Sequence, residues 1–245
     1  MKNHILDESV IGHAKVIVDI LPAGRVIPDT KITTRTITIH NTGNIGAPAK
    51  NNHNYMKNCN KTGERTASWH FTVDDQYIYQ AIPTNKKAWH AGNAKGNNES
   101  IGIEICMFND AERQRKAYEN AIELVKILMA YYNFDSSKVV RHYDYSKKSC
   151  PTWLIQGRYG YDWQWFKKQL TASTTTVAPS NNTANSFKIK VYNCTVLNAR
   201  SGPGTNYPVK DTVKAGTILT IVGSSGNWYK TKSGLYVCKT YCKVI

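Results

Sequence analysis

Three soft or borderline metal donors stand at the ends of short apolar stretches or just beyond them. His40 closes TITIH (36–40), His142 follows KVVR (138–141), and Cys150 comes eight residues later, within RHYDYSKKSCPTW (141–153). Two imidazoles and a thiol suit zinc, and three protein donors leave a fourth position for water, as a catalytic rather than a structural site requires. The same residues also fit plainer readings: two hydrogen-bonded histidines beside an inert buried cysteine, a thiol nucleophile, or a solvated polar loop.

Glu104 lies in SIGIEICM (100–107), where Ile101, Ile103 and Ile105 alternate with Gly102, Glu104 and Cys106. It therefore points away from the apolar face of a strand. If that opposite face lies beneath a metal, partial desolvation would raise its pKa toward the range of a general base. Otherwise it is a glutamate on a solvated sheet face. Lys148, two residues before Cys150, could hold its ammonium toward whatever the site binds and stabilise an oxyanion. Taken alone it does not differ from its neighbour Lys147.

The elements that must position these groups alternate in type. TITIH has the period of a half-buried strand, and SWHFTVDDQYIYQAI (68–82) reads as two strands around an Asp-Asp turn. A helix follows SIGIEICM, with Asn109 as its cap, Glu112 three residues on, and a stripe of Ala117, Ala121, Leu124, Val125, Leu128, Met129 and Tyr132. A further helix begins at Pro48, and YDWQWFKKQL closes the region. Strands interleaved with helices predict an α/β fold, a mixed central sheet flanked by helices.

That domain spans about 1–170. Residues 171–186, TASTTTVAPSNNTANS, carry no charge and no aromatic side chain, the composition of a flexible linker. Residues 187–245 hold only short strand-like stretches punctuated by Gly202, Pro203, Gly204, Gly223 and Gly226, which predicts a small all-β barrel. The net charge of +15 divides unevenly between the two domains. Residues 1–170 hold 23 Lys and Arg against 16 Asp and Glu, a net +7; residues 187–245 hold 9 against 1, a net +8. The smaller domain is thus far more basic per residue and would concentrate a polyanion. Six cysteines are too few for a disulfide scaffold; the default for Cys59, Cys106, Cys194, Cys238 and Cys242 is a small buried hydrophobe. No stretch has the length and apolarity of a membrane span, and the first residues lack a signal-peptide core, so synthesis in the cytoplasm is expected.

Together, TITIHNTG, SWHFTVDD, AWHAGNAKGNNESIGIEIC and RHYDYSKKSCPTW resemble the type-2 N-acetylmuramoyl-L-alanine amidases. These include many phage endolysins and share a fold with the peptidoglycan recognition proteins. The resemblance covers roughly residues 20–168. It implies zinc held by His40, His142 and Cys150, with Glu104 as catalytic acid/base, Lys148 beside the scissile carbonyl, and His90 lining the substrate groove. Some members use a tyrosine immediately before the histidine of the HF strand. This chain has Trp69 there, which can only donate from its indole N–H and is expected to contact substrate; its neighbour His70 is expected to be a core residue.

The segments LNARSGPGTNYPV, GNWYKT and GLYVCKTYCKVI resemble a bacterial SH3 domain over residues 187–245. The two resemblances imply a peptidoglycan hydrolase, of the phage or prophage endolysin kind. It would cleave the amide between N-acetylmuramic acid and L-alanine and act on the wall after release from the cell. Its partners would be peptidoglycan and anionic wall polymers, not nucleic acid or membrane. The competing class is a non-catalytic peptidoglycan binder, whose members typically lack the cysteine donor. A basic nucleic-acid-binding protein rests on charge alone.

Overall fold

The computed structural model describes residues 1–171, 187–205, 207–225 and 228–245. The expected linker, apart from Thr171, lies outside the described residues. The chain divides into two compact units, Met1–Thr174 and Thr175–Ile245.

The first unit runs β1 (Val10–Ile11), β2 (Ala14–Val18), β3 (Thr36–Ile45), α1 (Ala49–Thr62), β4 (Phe71–Val73), β5 (Tyr77–Gln80), α2 (Ala94–Glu99), β6 (Ser100–Met107), α3 (Ala111–Tyr132), β7 (Val139–Arg141), α4 (His142–Ser146), α5 (Thr152–Gln156) and α6 (Trp163–Thr171). Its seven strands are ordered β1-β2-β5-β4-β6-β3-β7. β3 pairs parallel with both β6 and β7, while β4 and β5 form an antiparallel hairpin, so the sheet is mixed.

Asp74 closes the β4–β5 turn. Its Oδ1 accepts from the N–H groups of Gln76 and Tyr77, and its Oδ2 accepts from Ala49 N–H at the start of α1. One carboxylate thus shapes the hairpin and satisfies an otherwise orphaned donor of the helix.

Alternation in β6 sorts the two faces of the sheet. Ile101, Ile103 and Ile105 are fully buried with Ile37 and Ile39 against Ala117, Ala121, Leu124, Val125 and Leu128 of α3 and Phe166 of α6. Complete burial of each isoleucine contributes roughly 1.5–3 kcal/mol. Gly102, Glu104 and Cys106 face the other way, where Asn52 of α1 donates to Cys106 Sγ at 3.6 Å. That face is covered rather than solvated: the Glu104 side chain is only 15% exposed.

The start of α3 differs from expectation by one residue. Its cap is Asp110, whose Oδ1 accepts from Arg113 N–H at 2.9 Å. Asn109 instead accepts a hydrogen bond from Arg158. Both residues cap well, and the carboxylate adds a favourable interaction with the helix dipole.

The second unit contains β8 (Phe187–Val191), β9 (Val196–Arg200), β10 (Val209–Lys214), β11 (Ile218–Ser225), β12 (Trp228–Thr231), β13 (Tyr236–Cys238) and β14 (Cys242–Val244). All pair antiparallel in the order β10-β9-β13-β12-β11-β8-β14. They wrap a small core of Ile189, Val191, Leu197, Ala199, Ile221, Val237 and Cys242. In the loop after β9, Arg200 Nη1 donates to the carbonyls of Thr205 and Tyr207. The Tyr207 ring lies where a Cβ on residue 202 would stand, 2.3 Å from the nearest ring carbon, so only glycine fits. Arg200, Gly202 and Tyr207 thus hold this loop in shape.

Candidate active site and metal centre

Parallel pairing assembles the site. In the β3–β6 ladder His40 is opposite Glu104, and in the β3–β7 ladder Ile39 is opposite Arg141. The residues after these partners, His40 and His142, therefore emerge side by side although 102 positions apart. Cys150 arrives by a loop folded back on α4: Tyr143 N–H donates to the Cys150 carbonyl at 2.9 Å. Asn41, next to His40, accepts from Trp153 N–H at 3.0 Å and ties the start of α5 to the same strand.

His40 Nδ1 lies 3.1 Å from His142 Nδ1 and 3.8 Å from Cys150 Sγ. All three donor atoms fall within 4.8 Å of one another, and all three residues are buried. Zinc bond lengths in a tetrahedron require about 3.3 Å between two nitrogens and about 3.6 Å between nitrogen and sulfur. The donor set and its spacing fit zinc. Burial holds His40 well below the usual histidine range and His142 at about 4, so both rings are neutral and able to donate a lone pair. The Cys150 thiol, pushed up to about 12 chiefly by burial, would give up its proton on binding a metal.

Glu104 Oε1 is 4.0 Å from His40 Nδ1, and Oε2 is buried with no hydrogen-bond partner among the described residues. Burial pushes this carboxyl up to about 8, against the opposing pull of Lys148 and Arg65. Lys148 is exposed and lines the same cleft, about 490 Å³ in volume, as Glu104 and the three donors. Lys147 is placed differently. It ends α4 in the left-handed conformation, φ 62°, with Nζ 5.2 Å from the Tyr143 ring. The structure thus separates two lysines that the sequence leaves equivalent.

Two residues expected at substrate are largely committed elsewhere. Trp69 is 8% exposed and its indole N–H donates to Thr72 Oγ1 at 2.7 Å, so it offers the cleft only an apolar edge. His90 borders the cleft, yet both ring nitrogens are engaged: Nδ1 with His40 Nε2 at 3.0 Å and Nε2 with the Ser100 carbonyl at 3.1 Å. His70 is a fully buried core residue, bonded to the Lys86 carbonyl and Gly102 N–H. Sequence reasoning assigned no role to Asn41, Thr42, Tyr55, Arg65 or Trp89, which also line the cleft. Asn41 Nδ2 and Thr42 Oγ1 are buried there without partners among the described residues. Their only signal was adjacency to His40.

Comparison with known proteins agrees with this geometry. Residues 29–153, just over half of the chain, match the N-acetylmuramoyl-L-alanine amidase family model. The chain belongs to this amidase family. Residues 195–237 match the bacterial SH3 domain. The N-acetylmuramoyl-L-alanine amidase XlyA of Bacillus subtilis (strain 168) is 36% identical over 217 residues, 86% of this chain and 69% of the relative. The solved catalytic domain of XlyA superposes with a TM-score of 0.56 at 41% identity, over 64% of this chain and 99% of that one. A mutant endolysin from Bacillus subtilis gives the same score at 40% identity and the same coverage. The amidase fold is therefore the first unit, with its cleft at the paired ends of β3, β6 and β7.

Proposed function

We propose that this amidase is a zinc enzyme that hydrolyses the amide between N-acetylmuramic acid and L-alanine in peptidoglycan, as a phage or prophage endolysin does. The observation that carries it is the meeting of His40, His142 and Cys150 within 4.8 Å beside a buried carboxyl, Glu104, opposite His40 in register. His40 Nδ1, His142 Nδ1 and Cys150 Sγ would hold the ion, which supplies Lewis acidity toward the amide carbonyl and the attacking water.

The remaining steps belong to the protein's own side chains. Glu104, as carboxylate, takes a proton from water as its oxygen bonds to the carbonyl carbon, then gives it to the leaving alanine nitrogen as the C–N bond breaks. A carboxyl raised to about 8 by burial suits both directions of transfer near neutral pH. The Lys148 ammonium, on the cleft wall, stabilises the negative charge gathering on the carbonyl oxygen.

The SH3 domain anchors the enzyme and raises its concentration at the wall, outside the cell that makes it. Lys188 and Lys190 share the outer face of β8, and Lys243 of β14 is directly opposite Lys190. Asp211 is the single acidic residue of 187–245, so this face suits an anionic wall polymer.

Metal analysis coupled to wall digestion tests the proposal. Purified protein should carry about one zinc per chain, and digestion should release N-terminal alanine without new reducing sugar. Unchanged release by Cys150→Ser or Glu104→Ala would overturn it.

A further inference from the structure

We propose that His90 fixes the tautomer of His40, so that the Nδ1 lone pair of His40 faces the metal site before any ion arrives. This makes His90 a positioning residue, and it rests on the zinc assignment above.

The Ser100 carbonyl oxygen can only accept, and His90 Nε2 lies 3.1 Å from it. His90 Nε2 therefore carries the hydrogen. The ring is 8% exposed and hydrogen-bonded to no carboxylate among the described residues, so burial keeps it neutral and its Nδ1 holds a lone pair. That lone pair lies 3.0 Å from His40 Nε2, which must be the donor. A neutral His40 protonated on Nε2 leaves Nδ1 bare. It is Nδ1 that lies 3.1 Å from His142 Nδ1 and 3.8 Å from Cys150 Sγ. A chain of two hydrogen bonds thus runs from the backbone of β6 to a metal-donor atom.

His90 is held firmly enough to do this. The N–H groups of His90 and Ala91 both donate to Asn97 Oδ1, at 3.0 and 2.8 Å. The ring lies against Gly102, where a Cβ would stand 2.7 Å from His90 Cγ. Its other side meets the edge of His70, with centroids 5.9 Å apart. His70 is itself pinned, accepting from Gly102 N–H at 2.9 Å and donating from Nε2 to the Lys86 carbonyl at 2.8 Å. His142 is not held in this way: its Nε2 is buried without a hydrogen-bond partner among the described residues, and its Nδ1, 3.1 Å from the bare His40 Nδ1, carries a hydrogen that must move to Nε2 before it can ligate. The two histidine donors are thus unequal, one preset and one that must change tautomer to ligate. Groups that orient a ligating imidazole in this way typically contribute 10–100-fold to metal affinity.

Two amide variants separate this role from packing. Asn places its carbonyl oxygen near the position of imidazole Nδ1, whereas Gln places its amide nitrogen near Nε2. His90→Asn keeps an acceptor for His40, and His90→Gln keeps only the donor to Ser100. Zinc affinity of the full chain, measured by competition with a chromophoric chelator, should fall roughly 10–100-fold in His90→Gln and stay much nearer wild type in His90→Asn. Equal losses in both variants, or none in either, would overturn the proposal. Two-bond proton–nitrogen NMR on the chelator-treated wild-type chain should place the hydrogen on Nε2 of both His40 and His90. A hydrogen on Nδ1 of either would also overturn it. Wild-type protein that binds no zinc would instead sink the zinc assignment, and the NMR result, read without metal, tells the two failures apart.

Discussion

Glu104 and His40 lie directly opposite one another in the parallel pairing of β6 with β3, and Glu104 Oε1 is 4.0 Å from His40 Nδ1. A one-residue slip of that register would turn Glu104 into the isoleucine-lined core and replace it with Ile103 or Ile105. The proposed proton-transfer group and the proposed metal donor are therefore set by a backbone ladder, not by a loop. Glu104→Gln should retain zinc and lose activity by roughly 10²–10⁴-fold. Zinc content and alanine release, measured on one preparation, check both halves, and wild-type-like turnover would remove Glu104 from the mechanism.

The same carboxyl and the buried histidines give the metal-free protein a distinctive stability profile. Burial lowers His70 and His142 to about 4 and His90 to about 3. Between about pH 4 and 6.5 the unfolded chain takes up protons at these rings that the folded chain refuses, so stability falls as pH falls through that window. Glu104 acts in the opposite sense. Its folded pKa of about 8 lies above the unfolded value, so the folded state holds a proton that the unfolded state has lost. Its contribution is thus lost as pH rises from about 4.5 to 8. Urea midpoints in chelator should peak near pH 6.5, and Glu104→Gln should flatten the decline above the peak. A profile unaffected by that substitution would contradict the assignment.

Much of this arrangement was legible in the sequence because it depends on residue type and period. Soft donors stand at strand ends, and Glu104 alternates with isoleucines, so it is legible as pointing away from the apolar face; that this face is the donors' own follows only from the β3–β6 pairing. Other features depend on geometry that no local pattern carries. The choice of Asp110 over Asn109 turns on one residue of helix phase between two good caps. β1 has only two residues, and AKVIV of β2 lacks a clean apolar–polar alternation, so β2 is specified by its parallel pairing with the distant β5. The amidase resemblance places His90 in the groove, but its bond to the Ser100 carbonyl depends on where that backbone points. Trp69 offered an indole N–H on paper; Thr72, three residues on, takes it.

In Glu104→Gln, which removes the other buried acid beside the site, zinc uptake should release close to one proton per ion at neutral pH. Both histidine donors are already neutral, whereas the Cys150 thiol, at about 12, must ionise. Affinity should accordingly rise about tenfold per pH unit between pH 6 and 8. Titrations in buffers of different ionisation enthalpy count the protons. A value near zero would mean that the thiol is not a ligand.

The two neighbouring lysines should behave differently. Lys148 lines the cleft, while Lys147 turns to the Tyr143 ring. Lys148→Ala should lower kcat/KM by roughly 10²–10³-fold, the scale for loss of one oxyanion-stabilising group. Lys147→Ala should leave it near wild type. Equal effects would show that general positive charge, not placement, is what matters.

Lys190 and Lys243 face one another across the antiparallel β8–β14 pair, both exposed. Like charges directly opposite destabilise a sheet, by an amount on the order of 0.2–1 kcal/mol. A fold free of other demands would gain from an acid at one of these positions. Lys243→Glu should therefore raise the thermal midpoint of the SH3 unit while weakening retention of the full chain on purified walls. The wild-type retention should fall with added salt, because exposed charges are screened within a Debye length of about 10 Å at 0.1 M. Walls stripped of their anionic polymers should retain wild type and Lys243→Glu equally. If the variant is stabilised and still binds intact walls like wild type, the lysine face is not the polymer-binding surface, and retention then resides in other parts of the chain.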